Sequence, residues 1–323
     1  MINNILDKNL ALEAVRVTEA AALSSSLMMG KGDEHAADQK AVNSMRHYLN
    51  NLSIDGTVVI GEGERDKAPM LYIGEKVGAG GDKIDIALDP LEGTAITAKG
   101  GENAMSVLAM AGHKGFLHSP DVYMEKIAVG KKFEGFELNF NIKPDDTIKK
   151  LSEFSKISID NLVVCILDRP RHEELIKSVR NTGARIKLIQ DGDVSAVIAT
   201  TIEKSGVDIY MGSGGAPEGV LAAAALRCMG GNIIGQLLLN TDDEKDRAKK
   251  CGISDFNRVY STTDMASGDV MFAATGVTDG TLLKGVRIYD NVATTSSIVM
   301  RSKTKTIRFI EAEHNLTKKK IIK

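Results

Sequence analysis

Apolar residues near the start of the chain recur at helical spacing, which places side chains on one helix face. A helix is predicted over residues 9–29. The apolar positions that indicate it are Leu10, Ala14, Val17, Ala21 and Met28. A second helix is predicted from Asp38 to Leu52, with Asp38 at its start as a cap. Thus two helices are expected to open the fold.

Three β-branched or apolar runs then follow the helical segment. They are TVVIGEGE (57–64), IDIALDP (84–90) and NAMSVLAMA (103–111). The first run breaks into glycines. We expect the second strand to end at Pro90, because proline has no backbone N–H to donate to a sheet.

The second half of the chain alternates between strand and helix patterns. Buried strands are predicted at 162–167, 185–190 and 207–211, with helices at 171–183, 193–204 and 216–231. This alternation is typical of βαβ units. We therefore predict an α/β fold with two domains, residues 1–150 and residues 151–323, and a boundary near 145–160.

Charge and composition exclude several classes of function. Acidic and basic residues nearly cancel, at 43 against 41, and tryptophan is absent. The net charge is therefore too small to attract nucleic acid or an anionic membrane. No apolar run reaches the length of a membrane span. Three widely spaced cysteines form neither a zinc motif nor a disulfide framework, which favours the cytoplasm.

Three groups of acidic residues follow strand-like runs. Glu62 and Glu64 come after TVVI, the segment Asp89–Thr94 (D-P-L-E-G-T) follows IDIAL, and Glu218 follows the glycine loop 212–215. Clustered carboxylates repel one another unless a cation joins them, and oxygen ligands suit Mg²⁺ or Mn²⁺. Each acid taken alone also fits a solvated turn or a helix cap, so the ordered D-P-L-E-G-T segment carries the hypothesis.

Other catalytic motifs are absent from the sequence. There is no G-x-x-x-x-G-K-[ST] phosphate loop, no H-E-x-x-H and no G-x-S-x-G. The segment 207–219 imitates a dinucleotide-binding turn, but Pro217 stands where its third glycine would be.

The D-P-L-E-G-T segment resembles the signature of the lithium-sensitive, metal-dependent sugar and inositol phosphatases. Further motifs resemble the class II fructose-1,6-bisphosphatases of the GlpX type over residues 9–312. These motifs are VIGEGERDKAPMLYIGEKVG (59–78), PDVYMEK (120–126), QDGDV (190–194), GSGGAPEG (212–219) and NVATT (291–295). The resemblance implies alternating helix and sheet layers, a homodimer or homotetramer, and hydrolysis of the 1-phosphate of fructose 1,6-bisphosphate in gluconeogenesis.

The resemblance also implies a ligand set for two or more Mn²⁺ or Mg²⁺ ions. Asp38 and Glu62 would hold one cation, and Asp89, Glu92 and Glu218 the other. Thr94 would position the attacking water and help to deprotonate it. Asp38 or a glutamate of the first cluster, Glu62 or Glu64, would orient Thr94.

The substrate would be a small sugar bisphosphate, held by residues from both halves of the chain. The implied substrate residues are Glu92, Gly93, Thr94, Tyr123, Arg169, Pro170, Arg171, Asp191, Gly192, Asp193 and Gly215. Arginines near 169–171 suit a distal phosphate, and the acids near 191–193 suit sugar hydroxyls.

This chain departs from the family pattern at two positions. Glu34 stands where the family commonly has a basic residue, so either Lys31 is expected to substitute for that residue or the metal ions are expected to compensate for its loss. Arg169 stands where lysine is frequent, which keeps the charge but changes the donor geometry.

Three alternatives remain open from the sequence. One is sedoheptulose 1,7-bisphosphate as a substrate, alone or together with the fructose ester. Another is an inositol or nucleotide phosphatase of the same superfamily, although these usually have a later W-D motif and this chain has no tryptophan. The third is a sugar-phosphate-binding regulator without turnover.

Overall fold

A computed structural model describes residues 10–61, 71–319 and 321. The chain forms two compact units. One contains the described residues up to Ser119 and those from Ala266 onwards, and the other is Pro120–Met265. This division differs from the expected boundary near 145–160, because the strands after Ala266 return to the sheet of the first unit. No helix in the described ranges is both long and apolar enough to span a bilayer.

Nine α-helices and fourteen strands occur in the described residues. The helices are α1 (Leu10–Ser26), α2 (Glu34–Leu49), α3 (Thr94–Lys99), α4 (Pro144–Ser155), α5 (Glu173–Asn181), α6 (Asp193–Ala199), α7 (Ala216–Met229), α8 (Asp242–Lys250) and α9 (Thr262–Met265). The strands are β1 (Ile54–Ile60), β2 (Lys76–Val77), β3 (Asp82–Glu92), β4 (Met105–Gly112), β5 (Tyr123–Val129), β6 (Val163–Leu167), β7 (Arg185–Ile189), β8 (Ile209–Gly215), β9 (Asn232–Leu238), β10 (Val259–Ser261), β11 (Val270–Gly276), β12 (Arg287–Tyr289), β13 (Val292–Arg301) and β14 (Thr306–Asn315).

The first unit is built on an eight-stranded sheet. Its strand order is β12-β13-β11-β4-β3-β1-β2, with β14 paired to β13. Helix α1 packs on β4, β11 and β13, and α2 packs on α1 and β3. Alanine and valine dominate the buried face of α1, and such small side chains let the helix lie close to the sheet.

Helix α2 begins four residues earlier than the sequence predicted. The side chain of Asp33 caps it by accepting a hydrogen bond from the N–H of Ala36 at 2.9 Å. The expected start and cap at Asp38 were therefore wrong. Asp38 lies inside the helix and is 6% exposed, so its carboxylate does not cap the start of α2.

Strand β3 continues through Pro90 to Glu92, although the sequence predicted an end at Pro90. The pairing with β4 shifts register between Asp89 and Glu92 and resumes where Glu92 lies opposite Met105. Proline is tolerated in a strand at such an irregularity, because no ladder hydrogen bond is required of its nitrogen there. The same irregularity reorients the side chains at this end of the strand.

The second unit is built on a six-stranded sheet of order β10-β9-β5-β8-β6-β7. Strand β6 pairs in parallel with β7 and β8, which confirms the predicted βαβ-like alternation, whereas β5 and β9 pair antiparallel. Helix α7 has proline at its start and the left-handed Gly230 at its end, as predicted. Cys165 of β6 is buried, and burial raises the pKa of its thiol to about 12. It is therefore a packing residue.

A buried polar cluster joins α1 to β13 and β14. Thr295 Oγ1 lies 2.8 Å from His314 Nε2, Lys319 Nζ lies 3.1 Å from His314 Nδ1, and Glu19 Oε1 lies 3.9 Å from Nε2. Burial, assisted by the Lys319 charge, lowers the pKa of His314 to about 4. The imidazole is therefore neutral in the folded protein at pH 7.

We expect this histidine to make the protein less stable in acid. Between pH 6.5 and 4 the unfolded chain binds a proton at His314 that the folded chain does not, so the free energy of unfolding falls as the pH falls. Replacing His314 with asparagine should flatten this fall in a series of denaturant titrations. The matched control is His47→Asn, at an exposed histidine of the same unit. Equal pH dependence in both variants would contradict the assignment.

Candidate active site

The turn from β3 into α3 carries the first group of candidate residues. Asp89 Oδ1 accepts a hydrogen bond from the N–H of Leu91 at 3.0 Å, and Glu92 is 4% exposed. Gly93 has φ of +93°, a conformation that favours glycine. It turns the chain so that Thr94 begins α3 directly after the acids. The four predicted residues therefore share one short turn.

Asp38 lies on a helix that packs against this turn. Helix α2 contacts both α3 and β3, and one oxygen of Asp38 is buried. The loop before α2 is hydrogen-bonded to the end of α3, from Gly30 N–H to Thr97 O at 2.9 Å and from Gly32 N–H to Ala98 O at 2.8 Å. The exposed Lys31 therefore lies on a loop that α3 holds in place.

The junction of β8 and α7 carries the second group, in the other unit. Gly215 precedes α7, Pro217 occupies its first turn, and Glu218 follows. A Cβ atom at residue 215 would collide with Glu218 Oε2, and one at residue 214 would collide with Asp193 Oδ2. The consecutive glycines thus make room for two carboxylates against the backbone.

Glu218 is an unusual acid for a helix start. Burial and the nearby Asp193 carboxylate raise the pKa of Glu218 to about 7, while Lys126 acts in the opposite direction. Its Oε2 atom is buried, and no described residue hydrogen-bonds to it. Buried polar atoms are normally satisfied, so this oxygen suits a ligand that the described residues do not supply.

Lys126 of β5 is 1% exposed and lies among these acids. Its Nζ donates to Asp193 Oδ2 and, at 2.9 Å, to the carbonyl oxygen of Gly215. Asp193 is the first residue of α6 and follows Gly192, whose φ is +83°. One carboxylate oxygen of Asp193, predicted to accept sugar hydroxyls, is therefore engaged by Lys126.

Arg171 is fixed beside Tyr123. The guanidinium carbon lies 4.7 Å from the centre of the Tyr123 ring. Nη2 donates to the carbonyl oxygen of Ser213 at 2.9 Å, and Nε lies 3.1 Å from the Ser213 hydroxyl. Tyr123 also pairs with Gly215 across β5 and β8, so the predicted distal-phosphate and sugar residues share one end of the sheet.

His172 connects the segment after β6 to Ser213 of β8 at this end of the sheet. Its Nδ1 lies 2.8 Å from Leu167 O, and its Nε2 accepts the N–H of Ser213 at 2.9 Å. Burial is the main cause that lowers the pKa of His172, and the charge of Arg171 adds to it. The neutral ring therefore holds Ser213, and Ser213 holds Arg171.

The structure places most of the predicted residues in these two groups. In the first unit it brings together Asp89, Glu92, Gly93 and Thr94. In the second unit it brings together Tyr123, Arg171, Asp193, Gly215 and Glu218, with Asp191 and Gly192 immediately before α6 and Arg169 and Pro170 immediately before Arg171. Glu62 and Glu64 lie outside the described residues.

Sequence reasoning missed Lys126 and His172. A signal for Lys126 was present in the strand pattern. Lys126 lies two residues from both Met124 and Ala128, so it shares their buried face of the strand. Nothing in the spacing of His172 distinguished it from a surface residue at a helix start.

In each unit, buried carboxylate oxygens are of the type that suits a hard divalent cation. Asp38 Oδ1, Glu92 Oε2 and Glu218 Oε2 are buried carboxylate oxygens, the ligand type that Mg²⁺ and Mn²⁺ prefer. Within residues 10–61, 71–319 and 321, no group of three or more His, Cys, Asp or Glu side chains is arranged to hold a metal ion. The full five-carboxylate set therefore stays a prediction.

We expect Gly215→Ala to weaken cation binding while the protein stays folded. The backbone at residue 215 (φ −62°, ψ 144°) accepts alanine, so the new methyl group displaces the flexible end of Glu218. The Mn²⁺ affinity should fall by about 10- to 100-fold, as for other changes that reorient a ligand. Calorimetric titration measures it. In a Glu218→Ala background the same change should have little further effect, and an equal loss in both backgrounds would contradict this prediction.

Comparisons with known proteins cover both groups of residues. The model of a family described as bacterial fructose-1,6-bisphosphatase, glpX-encoded, matches residues 8–314. The chain is 42% identical to a D-fructose 1,6-bisphosphatase class 2/sedoheptulose 1,7-bisphosphatase of Microcystis aeruginosa, over 98% of this chain and 99% of that protein. A protein of the same name from Crocosphaera subtropica is 42% identical over 96% of this chain and 97% of that protein. Another from Synechococcus sp. is 41% identical over 96% of both chains.

Proposed function

This chain belongs to the family of glpX-encoded bacterial fructose-1,6-bisphosphatases, and from that premise we propose that it hydrolyses the 1-phosphate of fructose 1,6-bisphosphate. The products are fructose 6-phosphate and phosphate, and the enzyme is a phosphoric monoester hydrolase. The observation that carries the proposal is the extent of the family match, since residues 8–314 include every candidate site residue.

Two divalent cations, Mn²⁺ or Mg²⁺, would be held by carboxylates. Asp38 and Glu62 would bind one of them, and Asp89, Glu92 and Glu218 would bind the other. When bound, they supply charge neutralisation at the phosphate and a lower pKa for water. The buried oxygen of Glu218 and the oxygen-only donor set support this assignment. We propose two or more ions per site.

The chemistry assigned to Thr94 is the positioning of water. Its hydroxyl, at the first residue of α3, orients the water and passes the proton that the water loses to Asp38 or to a glutamate of the Glu62–Glu64 pair. The water oxygen forms a bond to phosphorus, the bond from phosphorus to the sugar oxygen breaks in line, and that oxygen receives a proton. Phosphoryl transfer depends mainly on such positioning and on charge stabilisation.

The second unit would hold the rest of the substrate. Arg171, with Arg169 and Pro170, binds the distal phosphate, and Tyr123 borders it. The guanidinium is already oriented by Ser213 and by the Tyr123 ring, which reduces the entropy lost on binding. Sugar hydroxyls are assigned to the segment Asp191–Asp193 and to Gly215.

A dual activity is the second candidate. All three relatives compared carry sedoheptulose 1,7-bisphosphatase in their names. The seven-carbon ester presents the same 1-phosphate end, so the residues of the β3–α3 turn would act on it unchanged. Glu34 does not exclude turnover, because the exposed Lys31 lies on the loop bonded to α3.

Phosphate release tests the proposed function. We expect release from fructose 1,6-bisphosphate with Mn²⁺, no release with excess chelator, and no release from fructose 6-phosphate. Parallel assays with sedoheptulose 1,7-bisphosphate decide between single and dual activity. Release that survives the chelator, or that is absent for both bisphosphates, would refute the proposal.

Three further assignments go with this function. We place the enzyme in gluconeogenesis, since fructose 6-phosphate lies on that route. We infer a cytoplasmic location from the cysteine usage, and a homodimer or homotetramer, which light scattering measures.

A further inference from the structure

A lysine is seldom buried completely without a reason, because a buried cation needs partners to offset its lost hydration. Lys126 meets this need with two oxygens, one from Asp193 and one from the Gly215 carbonyl. Both partners belong to segments that the proposed function assigns to the sugar. The lysine therefore links two substrate-binding segments that are far apart in the chain.

Two glycines leave room for the Lys126 side chain. A Cβ atom at Gly214 would lie 3.0 Å from Lys126 Nζ, and one at Gly219 would lie 3.3 Å from Lys126 Cδ. The side chain thus fills the space left by glycines on β8 and α7. A shorter or uncharged side chain would release the Asp193 carboxylate and the Gly215 carbonyl together.

We propose that Lys126 is a positioning residue, which holds the Asp193 carboxylate and the Gly215 backbone in the arrangement that binds the sugar of the substrate. The inference rests on the proposed function, because that function places sugar hydroxyls at these segments. Lys126 acts through its two partners and does not touch the reacting atoms. Tyr123, opposite Gly215 on β5, borders the same sugar site.

The test is Lys126→Met, which keeps an unbranched side chain, shorter by the terminal amino group, and removes its charge. We expect kcat/KM for fructose 1,6-bisphosphate to fall by about 100-fold, the effect of a displaced binding group, mainly through a higher KM. The affinity for fructose 6-phosphate without metal, measured by calorimetry, should fall in parallel. This second readout does not depend on turnover.

A matched control is available in the same unit. Lys132 pairs with Asp208 at 2.8 Å, at the opposite end of the β5–β8 pair, where Val129 lies opposite Ile209. Lys132→Met also removes a lysine from an ion pair. It should leave KM and the fructose 6-phosphate affinity unchanged.

A double variant separates binding from folding. Lys126→Met leaves a buried carboxylate without its cation, whereas Lys126→Met/Asp193→Asn removes both charges. The double variant should recover thermal stability, and its fructose 6-phosphate affinity should remain low.

Two results would refute this inference and leave the proposed function standing. One is a folded Lys126→Met variant whose KM and fructose 6-phosphate affinity equal those of the wild type. The other is loss of the folded state in both the single and the double variant, which would make Lys126 a folding residue. A wild-type protein that binds no fructose 6-phosphate and releases no phosphate from either bisphosphate would instead refute the proposed function, and this inference with it.

Discussion

Asp89→Asn should abolish phosphate release and weaken Mn²⁺ binding. The carboxylate lies near the end of β3, at the register irregularity that precedes Glu92. The left-handed Gly93 then turns the chain into α3, which begins at Thr94. Asparagine removes the negative charge that a cation needs. Changes to groups that only orient a ligand cost about 10- to 100-fold in metal affinity, so the loss of a ligand should exceed that range.

The fold should tolerate this substitution. Asp89 Oδ1 accepts the N–H of Leu91, and the amide oxygen of asparagine can accept the same bond. Asp82→Asn is the control, since Asp82 is an exposed acid at the other end of the same strand. Calorimetry with Mn²⁺ and circular dichroism are the two measurements. Wild-type Mn²⁺ affinity in a folded Asp89→Asn protein would remove Asp89 from the ligand set.

Thr94→Ala should lower kcat with little change in folding. A group that assists proton transfer typically contributes about 10²- to 10⁴-fold, and the fall in kcat should lie in that range. Because alanine is a good helix former, α3 should still begin at this residue. Steady-state kinetics at saturating substrate and Mn²⁺ measure the effect.

Thr94→Ser separates the hydroxyl from the methyl group. Serine keeps the oxygen and should retain most of the turnover, and the thermal midpoints of both variants should stay near that of the wild type. The proposed role of Thr94 fails if Thr94→Ala turns over as fast as the wild type. It also fails if serine and alanine reduce kcat equally, since that would make the methyl group responsible.

Much of the local structure could be predicted from the sequence. Pro217 and the glycines after Met229 indicated the start and end of α7, and the apolar run at 103–111 indicated β4. These features depend on residues a few positions apart, whose backbone preferences act locally. The predicted start of α2 failed because Asp33 and Asp38 are both acceptable caps by residue type, and Asp38 is buried within the helix instead.

By itself, the sequence determined the glycine turns that bear acids and the alternation of strand and helix, because both are short-range properties of the chain. Only the tertiary structure decided which distant side chains and strands contact one another. Lys126 reaches Asp193 across 67 residues and Gly215 across 89, and β11 returns from beyond Ala266 to lie beside β4. Contacts over such separations arise from strand pairing and core packing, and residue spacing along the chain does not encode them.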